Sequence, residues 1–488
     1  MSGLLDLARL HAPLLMVTAP LIGAALAALV SSARLSWVIA VIAASVSAVF
    51  ALDAAARGLL TTVPLATTIE AVALHVDGVS LIGAPVVAGA ALLTIVAAGA
   101  LLRDFNTRAV PFAMALLLCV SAGWLGALMA ADLTGVLVAA ESAWLACVGL
   151  VALSAERDRA AMNGALRMLA AGGVGAALML VAAGLIYSSV GSLSLQEFAS
   201  ATVSSPGVAA TGAGLALVAL AIKAGVAPLH FWVGAAYGRA GALAALALGA
   251  LSAVGALAVF LRLAAYAIVA PAAGDGVAAA LVALGGVCVL VGSLQAVGAT
   301  NMRRLAAYAG AAQAGCILFT AALGSQQAFA AAFIQLFALC ASALALLGGA
   351  AALGGVTHIG ALDGLGRRAP LASAAITAGA LSLMGAPLTI GFLGRWRLIE
   401  AGVGAGWWWA TASVIAASLA AVYYGGRLIE RLYFRRVETP FEGGAGVWRF
   451  ATAPMLAAAI AAILYAVEPS ALLNAAGRAA ELLFGAPQ

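Results

Sequence analysis

Lys223, the single lysine of this chain, lies in the apolar stretch ALAIKAGVAPLHFW (residues 219–232). An ammonium group at mid-span costs roughly 2.5–3.5 kcal/mol on membrane-insertion scales, so it needs a charged partner or a water-filled cavity. Glu141, in LVAAESAWLACVGL, is the acidic residue deep inside its own apolar run and is the expected partner. A carboxylate favours the charged lysine while burial disfavours it, so such a lysine can exchange a proton near neutral pH. We interpret the pair as a proton switch; the alternatives are a snorkelling lysine and a structural glutamate.

Two APL sequences predict helices that are interrupted inside the membrane, GVAPLHFW at Pro228 and MGAPLTIGF at Pro387. Proline removes a backbone donor, and the carbonyls released at membrane depth must face protein or water. His230, two residues after Pro228, is interpreted either as a proton relay or as an interfacial histidine. Arg395 follows the second interruption; because arginine does not deprotonate, it can hold a fixed charge or order water. Arg262 is expected to snorkel or to bind backbone carbonyls.

The composition excludes a soluble fold, because 65% of the 488 residues are hydrophobic and 8% are charged. Soluble domains carry about 25% charged residues. The apolar runs do not alternate with polar residues, which excludes a β-barrel. Five cysteines fall inside apolar runs without CxxC spacing, so they are interpreted as core residues, with no metal site and no disulfide.

The apolar runs predict an all-α polytopic membrane protein with about 14 transmembrane helices. The predicted spans are residues 12–31, 36–56, 78–102, 110–130, 133–154, 162–188, 208–235, 242–270, 277–297, 304–323, 327–350, 371–400, 406–430 and 450–467.

The arginines follow this numbering, because they concentrate in the connections after odd-numbered spans. These connections carry Arg34, Arg103, Arg108, Arg157, Arg159, Arg239, Arg303, Arg304, Arg367, Arg368, Arg431, Arg435 and Arg436. Short cytoplasmic loops are enriched in Lys and Arg. The odd connections are therefore expected in the cytoplasm, and both termini on the outer side.

The two interruptions fall in spans 7 and 12, an odd number of spans apart, so their topologies are inverted. Paired Gly/Pro breaks in two halves indicate an inverted repeat at a transport site. The predicted domains are residues 1–109 with helices 1–3, 110–270 with helices 4–8, 277–430 with helices 9–13, and 431–488 with helix 14 and a short tail. The two five-helix units would form the repeat.

Several motifs together resemble the antiporter-like membrane subunits of respiratory complex I, Mrp-type antiporters and membrane-bound hydrogenases. They are VDGVSLI at Asp77, ALAIKAGVAPLHFW, ATNMRRLAAYAGAAQAGCI with Gln313, and LDGLGRRAPLASAAITAGALSLMGAPLTIGFLGRW. The resemblance covers roughly residues 77–400. It implies a 14-helix fold with inverted five-helix repeats, proton translocation by Glu141 and Lys223, and His230 on the route. The short segment after span 14 is similar to the medium-sized members, which lack a long lateral helix.

Two positions depart from the family pattern. Ala253 occupies the place of the family's second lysine, beside Ser252, and Arg395 replaces its span-12 lysine or glutamate. The central polar axis therefore has its entry pair but lacks two of its titratable groups.

The resemblance implies a proton-translocating subunit of a multi-subunit ion-pumping complex in a bacterial inner membrane. Its partners would be other membrane subunits, lipid, and protons or Na⁺, with no nucleic acid, no cofactor and no redox centre on this chain. The candidate proton-pathway residues are Glu141, Lys223, His230 and Arg395, and no catalytic residue is expected. The alternatives are a structural subunit without a complete proton pathway, the membrane partner of an inorganic-carbon or cation uptake module, and a stand-alone lipid or solute transporter.

Overall fold

The structure is a computed structural model that describes residues 9–65, 73–101, 109–156, 158–201, 203, 205–270, 274–354, 357–436 and 449–484. Arg103, Arg108 and Arg157, which belong to the arginines predicted in odd connections, lie outside the described residues. The same holds for residues 1–8 of the first predicted domain and 485–488 of the last.

Long apolar helices make up most of the described chain. They are α1 (Ala12–Leu29), α2 (Ala33–Arg57), α3 (Gly78–Leu101), α4 (Ala109–Met129), α5 (Leu133–Leu153), α6 (Ala161–Val190), α7a (Pro206–Ala224), α7b (Val233–Arg239), α8 (Ala242–Leu246, a π-helical turn Ala247–Ser252, and Ala253–Val269), α9 (Gly274–Gly298), α10 (Met302–Ala322), α11 (Gln326–Ala352), α12a (Pro370–Met384), α12b (Ile390–Gly404), α13 (Trp408–Tyr433) and α14 (Arg449–Val467). Shorter elements are helices Leu195–Ser200, Leu365–Arg368 and Ser470–Phe484, single turns Ser154–Glu156 and Ile359–Leu362, and the antiparallel strands β1 (Thr61–Pro64) and β2 (Ala73–Val76).

Twelve of the described helices are long and apolar enough to cross a membrane. The bent pair Thr452–Val467 and Ser470–Leu482, with 82° between its parts, could add a thirteenth. The region predicted as span 12 consists of two helices of 15 residues each, too short to qualify singly. The total of about 14 spans, the repeat relationship and the domain boundaries stay predictions.

Small residues let neighbouring helices approach until their backbones touch. A Cβ atom built on Gly285 of α9 would lie 2.8 Å from the carbonyl oxygen of Gly315 in α10, and one on Gly315 would lie 2.7 Å from that of Gly285. Gly292 faces the backbone of α10 in the same way: a Cβ atom built on it would lie 2.7 Å from the nitrogen of Ala312. In a membrane, where apolar surface gains little by leaving lipid, such close packing holds helices together. The α9–α10 pair is therefore one closely packed unit.

The connections after odd-numbered predicted spans contact one another at one end of the bundle. These contacts are Arg239 Nη1 to Asp158 Oδ2 at 3.2 Å, Arg304 Nε to the Gly234 oxygen at 2.9 Å, the Ile359 nitrogen to the Thr300 oxygen at 2.9 Å, and Arg431 Nη1 to Asp363 Oδ1 at 3.0 Å. We call this end, defined by these residues, the arginine end.

The opposite end is closed by backbone pairing and by a buried ion pair. Arg262 of α8 lies 2.6 Å from Asp77 Oδ2 and donates to the Ala130 oxygen at 2.5 Å. Tyr266 donates to the same carboxylate at 2.9 Å. The side chain of Arg262 is 1% exposed, so it does not snorkel; it binds a carbonyl, as one alternative predicted, and pairs with Asp77, which the sequence did not indicate.

Both interrupted helices end in the same way. Gly225 (φ 74°) and Gly385 (φ 71°) follow the last helical residues in the left-handed conformation. Their own N–H groups, and those of the residues after them, bind carbonyls of the last turn, as in a Schellman motif. Glycine is favoured because a side chain in this conformation costs about 1–2 kcal/mol. The predicted interruptions at Pro228 and Pro387 are confirmed.

We expect Gly225→Ala to lower the unfolding midpoint of the purified chain, because its Cβ would be strained and would meet Val233 Cγ2 at 3.0 Å. The cost should be about 1–2 kcal/mol. Gly214→Ala is the matched control: it lies within α7a with no atom within 4 Å of its Cβ, and alanine is the better helix former. Equal shifts in both variants, measured in one detergent, would contradict this account of the break.

Candidate functional site

The predicted pair of Lys223 and Glu141 forms in the structure. Lys223 occupies the last turn of α7a and its side chain is 2% exposed, while that of Glu141 on α5 is 22% exposed. Nζ lies 2.8 Å from Oε1 of Glu141. At this separation the ammonium and the carboxylate form a salt bridge. The carbonyl end of α7a adds negative potential at the ammonium, which favours the positive charge.

Two tryptophans hold the lysine against the break. Lys223 Nζ lies 5.0 Å from the centroid of the Trp144 ring, a distance at which the aromatic face attracts a cation. Trp144 donates to the Met168 oxygen at 3.0 Å and packs edge-on against Trp232 at 4.9 Å. Trp232 in turn donates to the Ile222 oxygen at 2.9 Å, a carbonyl at the interrupted helix end. The ring orientations are thus fixed by backbone groups.

A cysteine thiol also binds the interrupted backbone. The N–H of Ala227 donates to Cys288 Sγ at 3.1 Å, and that thiol donates to the Ala311 oxygen at 3.0 Å. Cys288 therefore joins the break after α7a to both α9 and α10. The prediction of a core cysteine holds for its burial, but its hydrogen bonds give it a second structural role.

His230 lies on the far side of the break from the ion pair. Its Nε2 hydrogen-bonds Gln295 Oε1 at 2.6 Å, and its ring lies edge-on to Tyr308 with 6.2 Å between centroids. It lines an open cavity of about 480 Å³ at the arginine end. None of the described contacts of Lys223 involves His230, so the structure does not bring these two predicted residues together.

Arg395 is bound to the second interrupted helix. Its guanidinium donates to the carbonyl oxygens of Leu383 and Met384 at the end of α12a, the latter at 2.5 Å, and to Ser418 Oγ at 3.0 Å. It therefore donates hydrogen bonds to carbonyls at the break, as Trp232 does at the first break. This contact set gives Arg395 a fixed structural charge.

The region around Ala253 is apolar. A cavity of about 30 Å³ is bounded there by Gly225, Ala253, Leu257, Gly310 and Leu347 among others, with Tyr237 and Trp232 as its polar-tipped members. The neighbouring Ser252 accepts from Trp124 Nε1 at 3.2 Å. Among the described residues that line this cavity, no lysine, histidine or carboxylate takes the place of the lysine that the resemblance implies; the hydroxyl of Tyr237 is the titratable group there.

Two buried glutamines lie in the second half of the chain. Gln313 on α10 and Gln335 on α11 are at most 1% exposed, and their amide groups have no hydrogen-bond partner among the described residues. Gln335 packs against Gly394, next to Arg395: a Cβ on that glycine would lie 2.8 Å from the amide carbon. Burying an unsatisfied amide costs about 1–3 kcal/mol, so both positions favour bound water. Gln313 is indicated by its motif, whereas the sequence gives no comparable signal for Gln335.

We expect Gly172→Ala to disturb the lysine through Trp144. A Cβ on Gly172 would lie 2.3 Å from the Trp144 indole nitrogen, so the ring would have to leave its bond to Met168. Overpacking of this kind costs about 1–3 kcal/mol. The control is its neighbour Gly173→Ala, which meets no atom within 4 Å. Near-ultraviolet circular dichroism and the unfolding midpoint should change in the first variant only; unchanged spectra in both would refute the packing argument.

Arg395→Met should lower stability by about 1.5–3 kcal/mol, because bonds from a charged donor to buried carbonyls are lost. Arg397→Met, two residues along the same helix, is the control: its side chain is 45% exposed and pairs with Glu400 at 3.1 Å. Such surface pairs contribute about 0–1 kcal/mol. Denaturant unfolding of both variants in micelles tests the assignment, which fails if Arg397→Met costs as much as Arg395→Met.

Comparisons with known proteins identify the family and match the fold of this chain. Residues 130–420 match the family model "NADH:quinone oxidoreductase/Mrp antiporter, TM". The NADH-quinone oxidoreductase subunit N of Desulforudis audaxviator is 31% identical over 370 residues, which cover 72% of this chain and 70% of that protein. Subunit N 1 of Solidesulfovibrio magneticus is 31% identical over 318 residues, covering 64% of this chain and 68% of its own.

Solved structures share the fold over nearly the whole chain. A chain of the Mrp complex from Dietzia superposes with a TM-score of 0.86 at 23% identity, covering 98% of this chain and 97% of its own. A chain of respiratory complex I from Thermus thermophilus superposes with a TM-score of 0.77 at 26% identity, covering 95% and 98%. The family region contains both interrupted helices and the Glu141–Lys223 pair. This multi-pass membrane protein therefore belongs to the NADH:quinone oxidoreductase/Mrp antiporter family as an antiporter-like membrane subunit.

Proposed function

We propose that the chain translocates protons as one subunit of a multi-subunit complex of the complex I, hydrogenase or Mrp type. The observation that carries this proposal is the single lysine, 2% exposed, with Nζ 2.8 Å from Glu141 at an interrupted helix. An ionisable residue buried among transmembrane helices is expensive, and such residues mark ion pathways. The relatives named as NADH-quinone oxidoreductase subunits support the assignment.

The pair can act as a switch because the two charges depend on each other. While Glu141 is ionised and close, it stabilises the ammonium of Lys223 against burial. If Glu141 moves away or is neutralised, the buried ammonium loses its counter-charge and releases its proton more easily. Glu141 is the more exposed partner, so its charge is the one that a change at the subunit surface can reach.

A proton leaving Lys223 can be relayed towards the arginine end through His230. The histidine faces the 480 Å³ cavity there and hydrogen-bonds Gln295, which orients its ring. In the other direction, Gln313 and Gln335 provide buried donors and acceptors for water. Arg395 would set a fixed positive charge on that route without passing a proton itself.

The second candidate function is structural: a subunit that supports the complex without a complete pathway. Two observations favour it. The cavity at Ala253 is lined mainly by apolar side chains, and the terminal nitrogens of Arg395 are bound by two carbonyls and Ser418. In this case the Glu141–Lys223 pair would hold α5 against α7a and would carry no proton.

We propose a bacterial inner-membrane location, with other membrane subunits as partners and both termini on the outer side. Support for this orientation comes from the arginine end, where Arg239, Arg304 and Arg431 gather. Arginine-rich connections favour the cytoplasm, and the connections at that end follow odd-numbered spans. Redox chemistry or ion exchange would belong to the partners.

The test is proton pumping by the intact complex in inverted vesicles, read with a pH-sensitive dye. Lys223→Ala and Glu141→Gln should each reduce the pumping rate at least about tenfold. A tenfold reduction corresponds to a loss of about 1.4 kcal/mol in the activation free energy of proton transfer. Lys223→Arg is the decisive variant, because it keeps the charge but cannot deprotonate, so the complex should assemble without pumping. Glu197→Gln, which changes an exposed residue of the short helix Leu195–Ser200, is the control.

Wild-type pumping by Lys223→Arg and Glu141→Gln would replace the translocation proposal with the structural one. The structural candidate further requires that Ala253→Lys changes nothing. An increase in pumping in that variant would instead show that the pathway runs through this position.

A further inference from the structure

The open cavity at the arginine end lies between α6, α7b, α9 and α10. Its volume of about 480 Å³ fits a small polar group rather than a single ion. Its lining residues are Ala160, Asn163, Arg167, His230, Phe231, Gly234, Ala235, Arg239, Gln295, Arg304 and Tyr308. Three of them are arginines, and none is acidic.

The charge in this cavity is not balanced by the described part of the chain. Arg239 pairs with Asp158 at 3.2 Å, but neither Arg167 nor Arg304 forms an ion pair with a described carboxylate. Arg304 is oriented by the bond from its Nε to the Gly234 oxygen at 2.9 Å, which leaves its terminal nitrogens to other acceptors. Two uncompensated guanidinium groups repel cations and attract anions, and arginine recognises phosphate with parallel hydrogen bonds.

Neutral polar groups complete the binding surface. Asn163 and Tyr308 each supply a donor, and His230 is 8% exposed with its Nδ1 unpartnered among the described residues. Phosphate oxygens accept hydrogen bonds from the Asn163 amide and the Tyr308 hydroxyl, and from His230 Nδ1 when both ring nitrogens carry a proton, because Nε2 already donates to Gln295. A buried ring nitrogen without a partner is costly, so the cavity is unlike a bare patch of surface arginines.

The surroundings of the cavity indicate that its ligand is an amphiphile. Phe231 on its rim is 55% exposed. Leu166 on α6 and Leu294 on α9, each next in sequence to a lining residue, are exposed as well. Basic pockets between transmembrane helices, bordered by apolar surface, suit anionic lipid headgroups.

We propose that this cavity binds the phosphate headgroup of an anionic membrane lipid, with Arg167 and Arg304 as its charged contacts and the acyl chains beside Phe231. The bound phosphodiester carries one negative charge and so offsets one of the two positive charges of these arginines. This binding does not depend on proton translocation, so the two proposals fail separately.

The test uses the purified full-length chain in nanodiscs of phosphatidylcholine with increasing phosphatidylglycerol. Retained lipid is counted by native mass spectrometry, and the unfolding midpoint is followed in parallel. Losing one of the two arginines that contact the bound phosphate should cost about 1 kcal/mol, so Arg167→Gln should weaken the preference for phosphatidylglycerol about fivefold. Arg34→Gln removes the same charge from an exposed position outside the cavity and should leave the preference unchanged.

Arg167 is exposed, so its replacement should leave the fold intact. Equal unfolding midpoints of all variants in phosphatidylcholine alone would establish this. A preference for phosphatidylglycerol that is the same in the wild type and in Arg167→Gln would overturn the proposal. A separate arm adds millimolar inorganic phosphate in phosphatidylcholine: no stabilisation is expected, and protection equal to that of the lipid would show a free-anion site instead.

Discussion

The rest of the site depends on one charge inside the membrane, the ammonium of Lys223, which belongs to the last turn of an interrupted helix and pairs with Glu141. The last carbonyls of α7a are bound by the N–H groups of Gly225 and Val226 and by Trp232, and Lys223 lies in that same last turn. Glu141 and the face of Trp144 complete its surroundings. The remaining neighbours serve this arrangement: Gly172 makes room for the indole, Met168 fixes its orientation, and Gly225 allows the helix to stop.

The second interruption has the same backbone geometry but a different chemical solution. At α7a the carbonyl of Ile222 is bound by an uncharged indole N–H, and the nearby cation remains available for exchange with Glu141. At α12a the carbonyls of Leu383 and Met384 are bound by the cation itself, Arg395. A guanidinium suits this use because it offers five donors in a rigid plane and keeps its charge. The same local fold thus holds a titratable charge in one half and a permanent one in the other.

Much of this site can be predicted from sequence because membrane burial makes charge costly. A lone lysine in an apolar run requires a partner, and only Glu141 lies deep in a neighbouring run. The interruptions follow from Gly and Pro for equally general reasons. Trp144 could also be found, since it lies three residues from Glu141 on the same helical face. The sequence does not indicate that Arg262 pairs with Asp77, because 185 residues separate them and each alone resembles a span-end charge. The amide of Gln335 and the sulfur bonds of Cys288 depend on packing between helices that no local pattern encodes.

The backbone contacts of α9 with α10 give these helices a further importance. Gly285, Gly292 and Gly315 leave no compressible side-chain layer between the two, so bending or sliding one without the other would force backbone atoms together. This stiff pair carries Cys288 and Ala311 at the depth of the first interruption, and Gln295 and Tyr308 at the wall of the basic cavity. A tilt of α9 and α10 at either level therefore displaces the other level as well, because the two helices move as one rigid body. The pair mechanically connects the centre of the membrane with the arginine end.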